Sequence, residues 1–176
     1  MNNVPSPQVL AGMADQNTKI HVPPKGTRGA RLMDVFMGLL RPFAGREVAR
    51  YQNLPGQEPG KFMGFPVLVL TTVGAKSGKE RSAVLGGFPD GKDAWLIIAS
   101  RGGSAVHPGW LFNIARNPDK VWVQVGNRKF KARCESLTGK EREDAYARVV
   151  AVAPNYAGYT KKTDREIPVL RITPAD

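Results

Sequence analysis

Short runs of apolar residues, some alternating with polar positions, fill the chain from about residue 65 onward and predict strands rather than long helices. Phe65 to Val73 is almost continuously apolar and rich in valine, which indicates a buried strand. Residues 121–125 and 129–134 flank Gly126-Asn127, which predicts a hairpin. The predicted strands are 65–73, one that ends at the turn signal 88–91, then 94–100, 121–125, 129–134 and 168–172.

Helical spacing of apolar residues occurs in fewer places. The segment from Gly29 to about Tyr51 predicts an arginine-rich amphipathic helix that is broken near Pro42. Residues 108–116 start with a proline in the first turn, and residues 138–152 start with capping-box spacing. Six strands with sparse helices predict a mainly β (α+β) protein built on a small antiparallel barrel.

Composition divides the chain into three parts. Residues 1–27 carry prolines and glycines among polar residues and predict a mobile tail, residues 28–51 the amphipathic helix, and residues 52–176 the barrel. No apolar run approaches the ~20 residues that span a bilayer, and the N-terminus lacks a secretory pattern, so we expect a cytoplasmic protein. The single cysteine, Cys134, cannot form an internal disulfide, and its strand parity predicts a buried, inert thiol.

The net charge of +11 on 176 residues predicts an anionic partner. A polyanionic cofactor, an anionic membrane surface and nucleic acid all satisfy this charge. The aromatic residues are sparse and not interleaved with the basic ones, so nucleic acid is not expected. The arginine-rich segment 28–51 either packs over the core or also touches anionic lipid at the inner membrane face.

A basic loop, Thr71 to Arg81, lies between the first two predicted strands. Its two glycines, Gly74 and Gly78, allow a tight turn with exposed N–H groups, and Lys76, Lys79 and Arg81 surround that turn. The loop therefore predicts a site for a phosphate or a cluster of carboxylates. It is not a nucleoside triphosphate loop, because only three residues separate the glycines and a glutamate follows Lys79. No glycine-rich dinucleotide fingerprint follows a strand either.

Two further segments carry candidate chemistry. Residues 99–110 place a strand end, a glycine loop and a helix start in sequence, and N–H groups at that helix start can bind an anion with Arg101. Residues 154–165 place Tyr156 and Tyr159 in an irregular segment between a helix and a strand. The histidines, His21 and His107, lack accompanying ligands, so no metal site is expected, and no nucleophile elbow supports a serine triad.

Taken in order, the fragments TTVGAKSGKERS, ASRGG, HPGWLFNIARNPD, VQVGNRKFKAR and NYAGYTKKTDREIPVLRI resemble the deazaflavin-dependent nitroreductase or quinone reductase family over residues 62–174. The resemblance implies a flavin-reductase-like split β-barrel that binds reduced 8-hydroxy-5-deazaflavin (coenzyme F420), which carries a phosphate and an oligoglutamate tail. It also implies hydride transfer to a small-molecule acceptor, namely a quinone, an activated alkene or a nitro compound.

The resemblance assigns roles to particular residues. Ser100 would donate a hydrogen bond to the carbonyl or nitro oxygen of the acceptor, and Tyr156 or Tyr159 would donate a proton or form the pocket wall. The implied contacts to the phosphate, the tail and the rest of the cofactor are Lys76, Ser77, Arg81, Ala83, Val84, Ser100, Arg101, Gly109, Trp110, Asn113 and Tyr156.

The chain departs from the nitroimidazole-reducing member of that family at four positions. Gly86 and Ala153 stand where that member has tyrosines, which predicts a wider or differently shaped pocket and argues against bicyclic nitroimidazoles as acceptors. Ala75 replaces an arginine and Glu80 a proline, so charge at the tail is reduced unless Lys79 compensates.

Two other functions fit the same residues. One is an oxidoreductase of the same barrel type that uses flavin mononucleotide (FMN). The other is a non-enzymatic basic module that binds RNA or lipid through the arginine-rich helix and the tail. The chain is expected to be a monomer or a homodimer.

Overall fold

The computed structural model describes residues 20–40 and 44–175, in which eight strands and five α-helices occur. The helices are α1 (Arg31–Leu40), α2 (Ala44–Gln52), α3 (Gly109–Arg116), α4 (Gly139–Val152) and α5 (Tyr159–Lys162), with 3-10 turns at Arg101–Gly103 and Pro154–Gly158. The strands are β1 (Gly60–Phe62), β2 (Phe65–Val73), β3 (Glu80–Gly86), β4 (Phe88–Pro89), β5 (Trp95–Ile98), β6 (Val121–Val125), β7 (Arg128–Leu137) and β8 (Val169–Pro174).

All strand pairs in the described residues are antiparallel, in the order β1-β2-β6-β7-β8-β5-β4, with β3 paired to β2. The long strand β7 belongs to both halves of this sheet. Its first part pairs with β6, as in Trp122 opposite Lys131, and its second part pairs with β8, as in Ala132 opposite Pro174. The sheet therefore curves into a half-barrel in which β2 and β3 lie in one half and β5 and β8 in the other.

The position of β2 between two core clusters explains why its sequence is almost continuously apolar. Val67 and Val69 pack into a cluster that contains Tyr156 and Val149, and Leu68 and Leu70 pack into a second cluster that contains Leu111. A strand buried on both faces has no solvent-facing positions and so loses the alternating pattern. Fully burying each such Val or Leu side chain contributes about 1.5–3 kcal/mol, so β2 is a rigid support for the loop that follows it.

The predicted strands and the two later helices are confirmed, with small shifts of their ends. Strands β1 and β4 were missed, since they are only three and two residues long and give no periodic signal. The capping-box spacing at the start of α4 is present in the sequence, but the Thr138 side chain makes no capping hydrogen bond. Cys134 is buried as predicted, and burial raises the pKa of its thiol to about 12.

Residues 20–30 form an extended segment, here called the strap, that lies across the loop following β5. Gly26 N–H donates to the carbonyl of Ala105, and Ala30 N–H donates to that of Gly103. The predicted mobile tail, 1–27, overlaps the described residues only from residue 20, and there the chain is held by hydrogen bonds. Its partners, among them the Asp164 carboxylate, the Ser136 hydroxyl and the carbonyl of Ala105, lie far along the chain, and no local pattern in the sequence reveals them.

The arginine-rich segment contains α1 and α2, while its predicted break near Pro42 lies outside the described residues. Helix α2 packs against the core through Tyr51 and Val48. Helix α1 instead exposes Leu32, Val35 and Leu39, at 84%, 61% and 69% of their surface. Among the described helices, none combines the length and the apolar character needed to cross a bilayer.

Candidate active site

The basic loop is a tight turn between β2 and β3. Gly74 N–H donates to the carbonyl of Lys79, and Gly78 N–H donates to that of Gly74. Gly78 has a φ of +65°, a conformation that favours glycine. Lys76, Lys79 and Arg81 are exposed and make no ion pair with any described residue. These three side chains are called the cationic cradle below.

Of the predicted row of open backbone N–H groups in this loop, those of Lys76 and Ser77 have no partner among the described residues. Besides the two glycines, Ala75 N–H donates to Oδ1 of Asn113 at 2.9 Å, and Lys79 N–H donates to Oγ of Ser77 at 3.3 Å. The turn thus satisfies most of its own donors. An anion at this loop would therefore be held mainly by the charged side chains of the cradle, with the N–H groups of Lys76 and Ser77 beside them.

Helix α3 is fastened beside the cradle by Asn113. The amide of Asn113 accepts from Ala75 N–H and donates to Oγ1 of Thr72 at 3.0 Å, and Asn117 Nδ2 donates to the carbonyl of Val73. Much of the hydrogen-bonding capacity of Asn113, a predicted cofactor contact, therefore serves to position α3. At the start of α3, the N–H groups of Gly109 and Trp110 have no partner among the described residues. Such groups suit an anion.

Ser100 lies at the end of β5, where a tight left-handed turn begins. Arg101, Gly102 and Gly103 have φ angles of +45°, +63° and +85°, and only the first of them bears a side chain. Ser100 is 7% exposed, and its hydroxyl has no hydrogen-bond partner in the described part of the chain. A hydroxyl without a protein partner at a strand end is suited to bind a ligand oxygen.

Arg101, a predicted cofactor contact, is held by a protein carboxylate. Its Nε donates to Oδ1 of Asp34 at 2.9 Å, and Ser104 Oγ donates to the other oxygen of Asp34, also at 2.9 Å. Asp34 comes from α1, which sequence reasoning placed apart from this site. Among the basic residues predicted to contact the cofactor, Arg101 is thus paired with a carboxylate, whereas Lys76 and Arg81 of the cradle are not.

Two buried side chains behind the Ser100 turn were missed by sequence reasoning. Arg165 donates from Nη2 to the carbonyls of Ala99 and Ser100, both at 2.9 Å, and from Nε to that of Ser104 at 2.8 Å. Nδ1 of His107 lies 3.1 Å from Nη1 of Arg165, and Nε2 of His107 lies 2.8 Å from the carbonyl oxygen of Pro23. No signal in the sequence identifies such contacts, since the partners are backbone groups distant along the chain.

The tautomer of His107 follows from its neighbours. Arginine can only donate, so Nδ1 of His107 accepts and Nε2 carries the proton that it donates to Pro23. Burial first, and then the charge of Arg165, lower the pKa of His107 below its usual 6.5. His107 therefore stays neutral in the folded protein at neutral pH.

This neutral histidine predicts a pH dependence of stability. As pH falls below about 6.5, the unfolded chain protonates His107 while the folded protein resists, so the free energy of unfolding decreases until pH reaches the lowered folded-state pKa. We expect His107→Gln, which keeps one donor and one acceptor, to lose this component. The measurement is calorimetric melting of both proteins from pH 7.5 to 5. An equal decline in both melting temperatures would contradict the prediction.

Tyr156 and Tyr159 lie close together, with ring centroids 5.1 Å apart. Tyr156 is buried against Phe65 and Phe88, and burial raises the pKa of its phenol. A Cβ on Gly86 would lie 2.6 Å from Tyr156 Oη, so this hydroxyl sits against the end of β3. Tyr159 is half-buried, and its Oη accepts from Asn155 Nδ2 at 3.1 Å.

The structure shows what surrounds Gly86 and Ala153, two positions at which the chain departs from the nitroimidazole-reducing member of the family. The space beside Gly86 is taken by the Tyr156 hydroxyl, so the missing side chain leaves room for that phenol rather than an empty pocket. Ala153 is 2% exposed within the core cluster and lines no open surface. Neither position therefore opens extra space by itself, and of the predicted wider or differently shaped pocket the change of shape stays a prediction.

Several of the predicted site residues lie along β3, and others do not. The cradle and Asn113 lie at its start, the half-buried Ala83 and Val84 in its middle, and the Tyr156 hydroxyl at its end. Ser100 lies in the other half of the sheet and is linked to the tyrosine segment through Arg165. Among the described residues, no cluster of three metal-ligating side chains occurs.

A split barrel with a cationic cradle, a free hydroxyl and a pair of phenols defines a cofactor-dependent oxidoreductase. A family model described as F420H(2)-dependent quinone reductase matches residues 44–174. The chain belongs to the F420H(2)-dependent quinone reductase family, and its cofactor is coenzyme F420. The predicted family, fold class and cofactor are thereby confirmed.

Individual relatives agree with this placement. An F420H(2)-dependent quinone reductase of Mycobacterium tuberculosis (strain ATCC 25618 / H37Rv) is 37% identical over 113 residues, which cover 61% of this chain and 73% of the relative. The solved structure of an F420-H2 dependent reductase (FDR-A) is 40% identical, covers 61% of this chain and 93% of its own, and has a TM-score of 0.55. A structure described as a domain-swapped dimer is 33% identical, covers 77% and 98%, and has a TM-score of 0.56.

The described residues fit a cofactor that carries a phosphate and carboxylates. Such a ligand needs cations that no protein carboxylate already occupies, and Lys76, Lys79 and Arg81 meet this condition within the described part of the chain. The N–H groups at the start of α3 add to the same positive field. The assignment of individual cofactor contacts stays a prediction.

Proposed function

We propose that the protein reduces quinones, activated alkenes or nitro compounds with reduced coenzyme F420 bound along β3. The observation that carries this proposal is the arrangement of groups along the strand, with exposed cations at its start and the Tyr156 hydroxyl at its end. An elongated anionic cofactor bound by its acidic arm at the cradle would extend its ring toward that phenol.

When bound, reduced F420 supplies the hydride. The protein's share is orientation and charge stabilisation. The cradle would hold the phosphate and the acidic tail through charge-assisted hydrogen bonds, and the N–H groups of Gly109 and Trp110 would supplement them.

Ser100 is proposed to donate a hydrogen bond to the oxygen of the acceptor on which negative charge develops. Its hydroxyl is free of partners in the described residues and rests on a turn with a fixed backbone, which makes it a preorganised donor. Tyr156 remains protonated at neutral pH because burial raises the pKa of its phenol, so it is available as a proton donor or as a neutral wall. Tyr159 is the alternative donor.

The proposal is tested by an anaerobic titration of the full chain with F420, followed by mixing the reduced complex with a soluble quinone, an activated alkene and a nitroimidazole. We expect F420 to bind in preference to FMN or NADPH, and the quinone to reoxidise the reduced cofactor rapidly. Binding of FMN alone would favour the flavin alternative. Binding of neither would contradict the proposal.

We also propose a peripheral contact of α1 with an anionic membrane. Leu32, Val35 and Leu39 are exposed along one face of this helix, which begins at Arg31 and is flanked by Arg28, Arg46 and Arg50. An apolar helical face flanked by cations is suited to the headgroup region of an anionic bilayer. A quinone acceptor dissolved in that bilayer would then be within reach.

The membrane contact predicts that Leu39→Glu lowers the affinity for phosphatidylglycerol vesicles by about tenfold or more, because one buried leucine contributes about 1.5–3 kcal/mol. Co-sedimentation with the vesicles measures the affinity. Val152→Glu is a matched control, since Val152 is an exposed apolar residue on α4. Equal binding by both variants, or binding to neutral phosphatidylcholine at the same strength, would contradict the contact.

A cytoplasmic location at the inner membrane face agrees with the lone thiol of Cys134. We propose a homodimer as the assembly to test by light scattering, because the relative described as a domain-swapped dimer is 33% identical to this chain.

A further inference from the structure

Arg165 is a buried cation whose five N–H groups all have acceptors. Nε donates to the carbonyl of Ser104, and Nη2 donates to those of Ala99 and Ser100. Nη1 donates to Nδ1 of His107 and to the carbonyl of Glu166, both at 3.1 Å. Arg165 is only 7% exposed.

None of these five acceptors is a carboxylate. Burying a guanidinium without a paired anion is costly, and here the hydrogen bonds to buried carbonyls offset that cost. What Arg165 contributes is therefore its geometry, the fixed fork of five donors that only arginine provides.

Three of the five acceptors, the carbonyls of Ala99, Ser100 and Ser104, bracket one element, the turn from Ser100 to Ser104. Within it, Arg101, Gly102 and Gly103 are all in the left-handed region, and Arg101 bears a side chain that disfavours this conformation. Only two backbone hydrogen bonds close the turn from inside, Gly103 N–H to the carbonyl of Ser100 and Ser104 N–H to that of Arg101. Arg165 binds the carbonyls at both ends and so opposes relaxation of the strained middle.

We infer that Arg165 is a positioning residue that holds the Ser100 turn in the conformation in which the Ser100 hydroxyl meets the acceptor. This inference rests on the proposed function of Ser100. Arg165 itself touches no reacting atom, and it acts through the backbone carbonyl of Ser100. Its contact with His107 extends the support to the strap, since His107 donates to the carbonyl of Pro23.

The test uses Arg165→Lys, which keeps the charge and loses the fork, in the full chain with F420 bound. Its matched control is Arg142→Lys, because Arg142 also donates from Nε and Nη2 to a backbone carbonyl, that of Ile167, without contacting the Ser100 turn. The first readout is hydrogen exchange at the amides of Gly103 and Ser104. The second is kcat, measured in both the natural and the Ser100→Ala background, together with the dissociation constant of F420.

We expect Arg165→Lys to speed exchange at both amides and to lower kcat about tenfold or more, as small displacements of a reacting group do, with an F420 dissociation constant within about twofold. In the Ser100→Ala background the same substitution should cause no further loss of kcat, since there is no hydroxyl left to position. Arg142→Lys should leave exchange in the turn unchanged.

Unchanged exchange in Arg165→Lys would overturn the inference, and so would an undiminished loss of kcat in the Ser100→Ala background. Should Ser100→Ala leave kcat unaltered, the proposed role of Ser100 fails, and the exchange result alone still decides whether Arg165 fixes the turn. If Arg165→Lys does not fold, His107→Ala removes one acceptor of the guanidinium and is read in the same way.

Discussion

Replacing Ser100 by alanine is expected to lower kcat by about 100-fold, as removal of a preorganised donor at a developing oxyanion does. The dissociation constant of F420 should change by less than about threefold, because the cradle that anchors the acidic arm is untouched. Stopped-flow reoxidation of the reduced complex by a quinone measures the rate, and fluorescence titration measures the affinity.

Ser136→Ala is the matched control for this experiment. The hydroxyl of Ser136 accepts one hydrogen bond from His21 N–H, and it lies on β7 rather than in the Ser100 turn. This variant should keep its kcat. A Ser100→Ala protein that turns over quinone, alkene and nitro acceptors at the natural rate would remove Ser100 from the mechanism.

Loss of the cradle should act on binding instead of rate. We expect Lys76→Ala combined with Arg81→Ala to raise the dissociation constant of F420 by about 100-fold or more, since hydrogen bonds to charged groups contribute about 1.5–3 kcal/mol each. The affinity of the natural protein should also fall steeply with added salt, and this slope should flatten in the double variant. Titration at several ionic strengths gives both quantities.

A charge-matched control is available on β7. Lys129→Ala combined with Lys131→Ala also removes two positive charges, but from exposed positions on a different strand. If the two double variants weaken binding equally, the net charge of the protein attracts the cofactor and the cradle is not its specific site.

The strands of the sheet could be predicted because the apolar residues that form the core follow local patterns in the sequence. Strand β2 could be located from its valines and leucines alone, and the β6–β7 hairpin from Gly126-Asn127. Strand β4 was not predicted, because a strand of two residues can pair with its neighbour without showing any periodic pattern of apolar residues. The spacing of the strands predicted a barrel. It did not predict that β7 joins the two halves of that barrel.

The candidate site was predictable in its charges and not in its hydrogen bonds. The glycines and lysines of the basic loop indicated an anion, but the sequence did not show that Asn113 takes up the N–H of Ala75. In the same way, Arg101 was assigned to the ligand while Asp34, 67 residues away, holds its Nε. Long-range partners are fixed by the folded backbone, so a single sequence carries no local trace of them.

The path of β7 has a consequence for how acceptor preference can change. The cradle follows β2 in one half of the sheet, whereas Ser100 follows β5 in the other, and β7 is the strand that pairs into both, switching near Lys131 and Ala132. The span from the cradle to the serine hydroxyl therefore depends in part on the path of a strand that carries neither group. Substitutions where β7 passes from one half to the other are expected to change this span, and with it the preferred length of the acceptor, while every predicted binding residue stays the same.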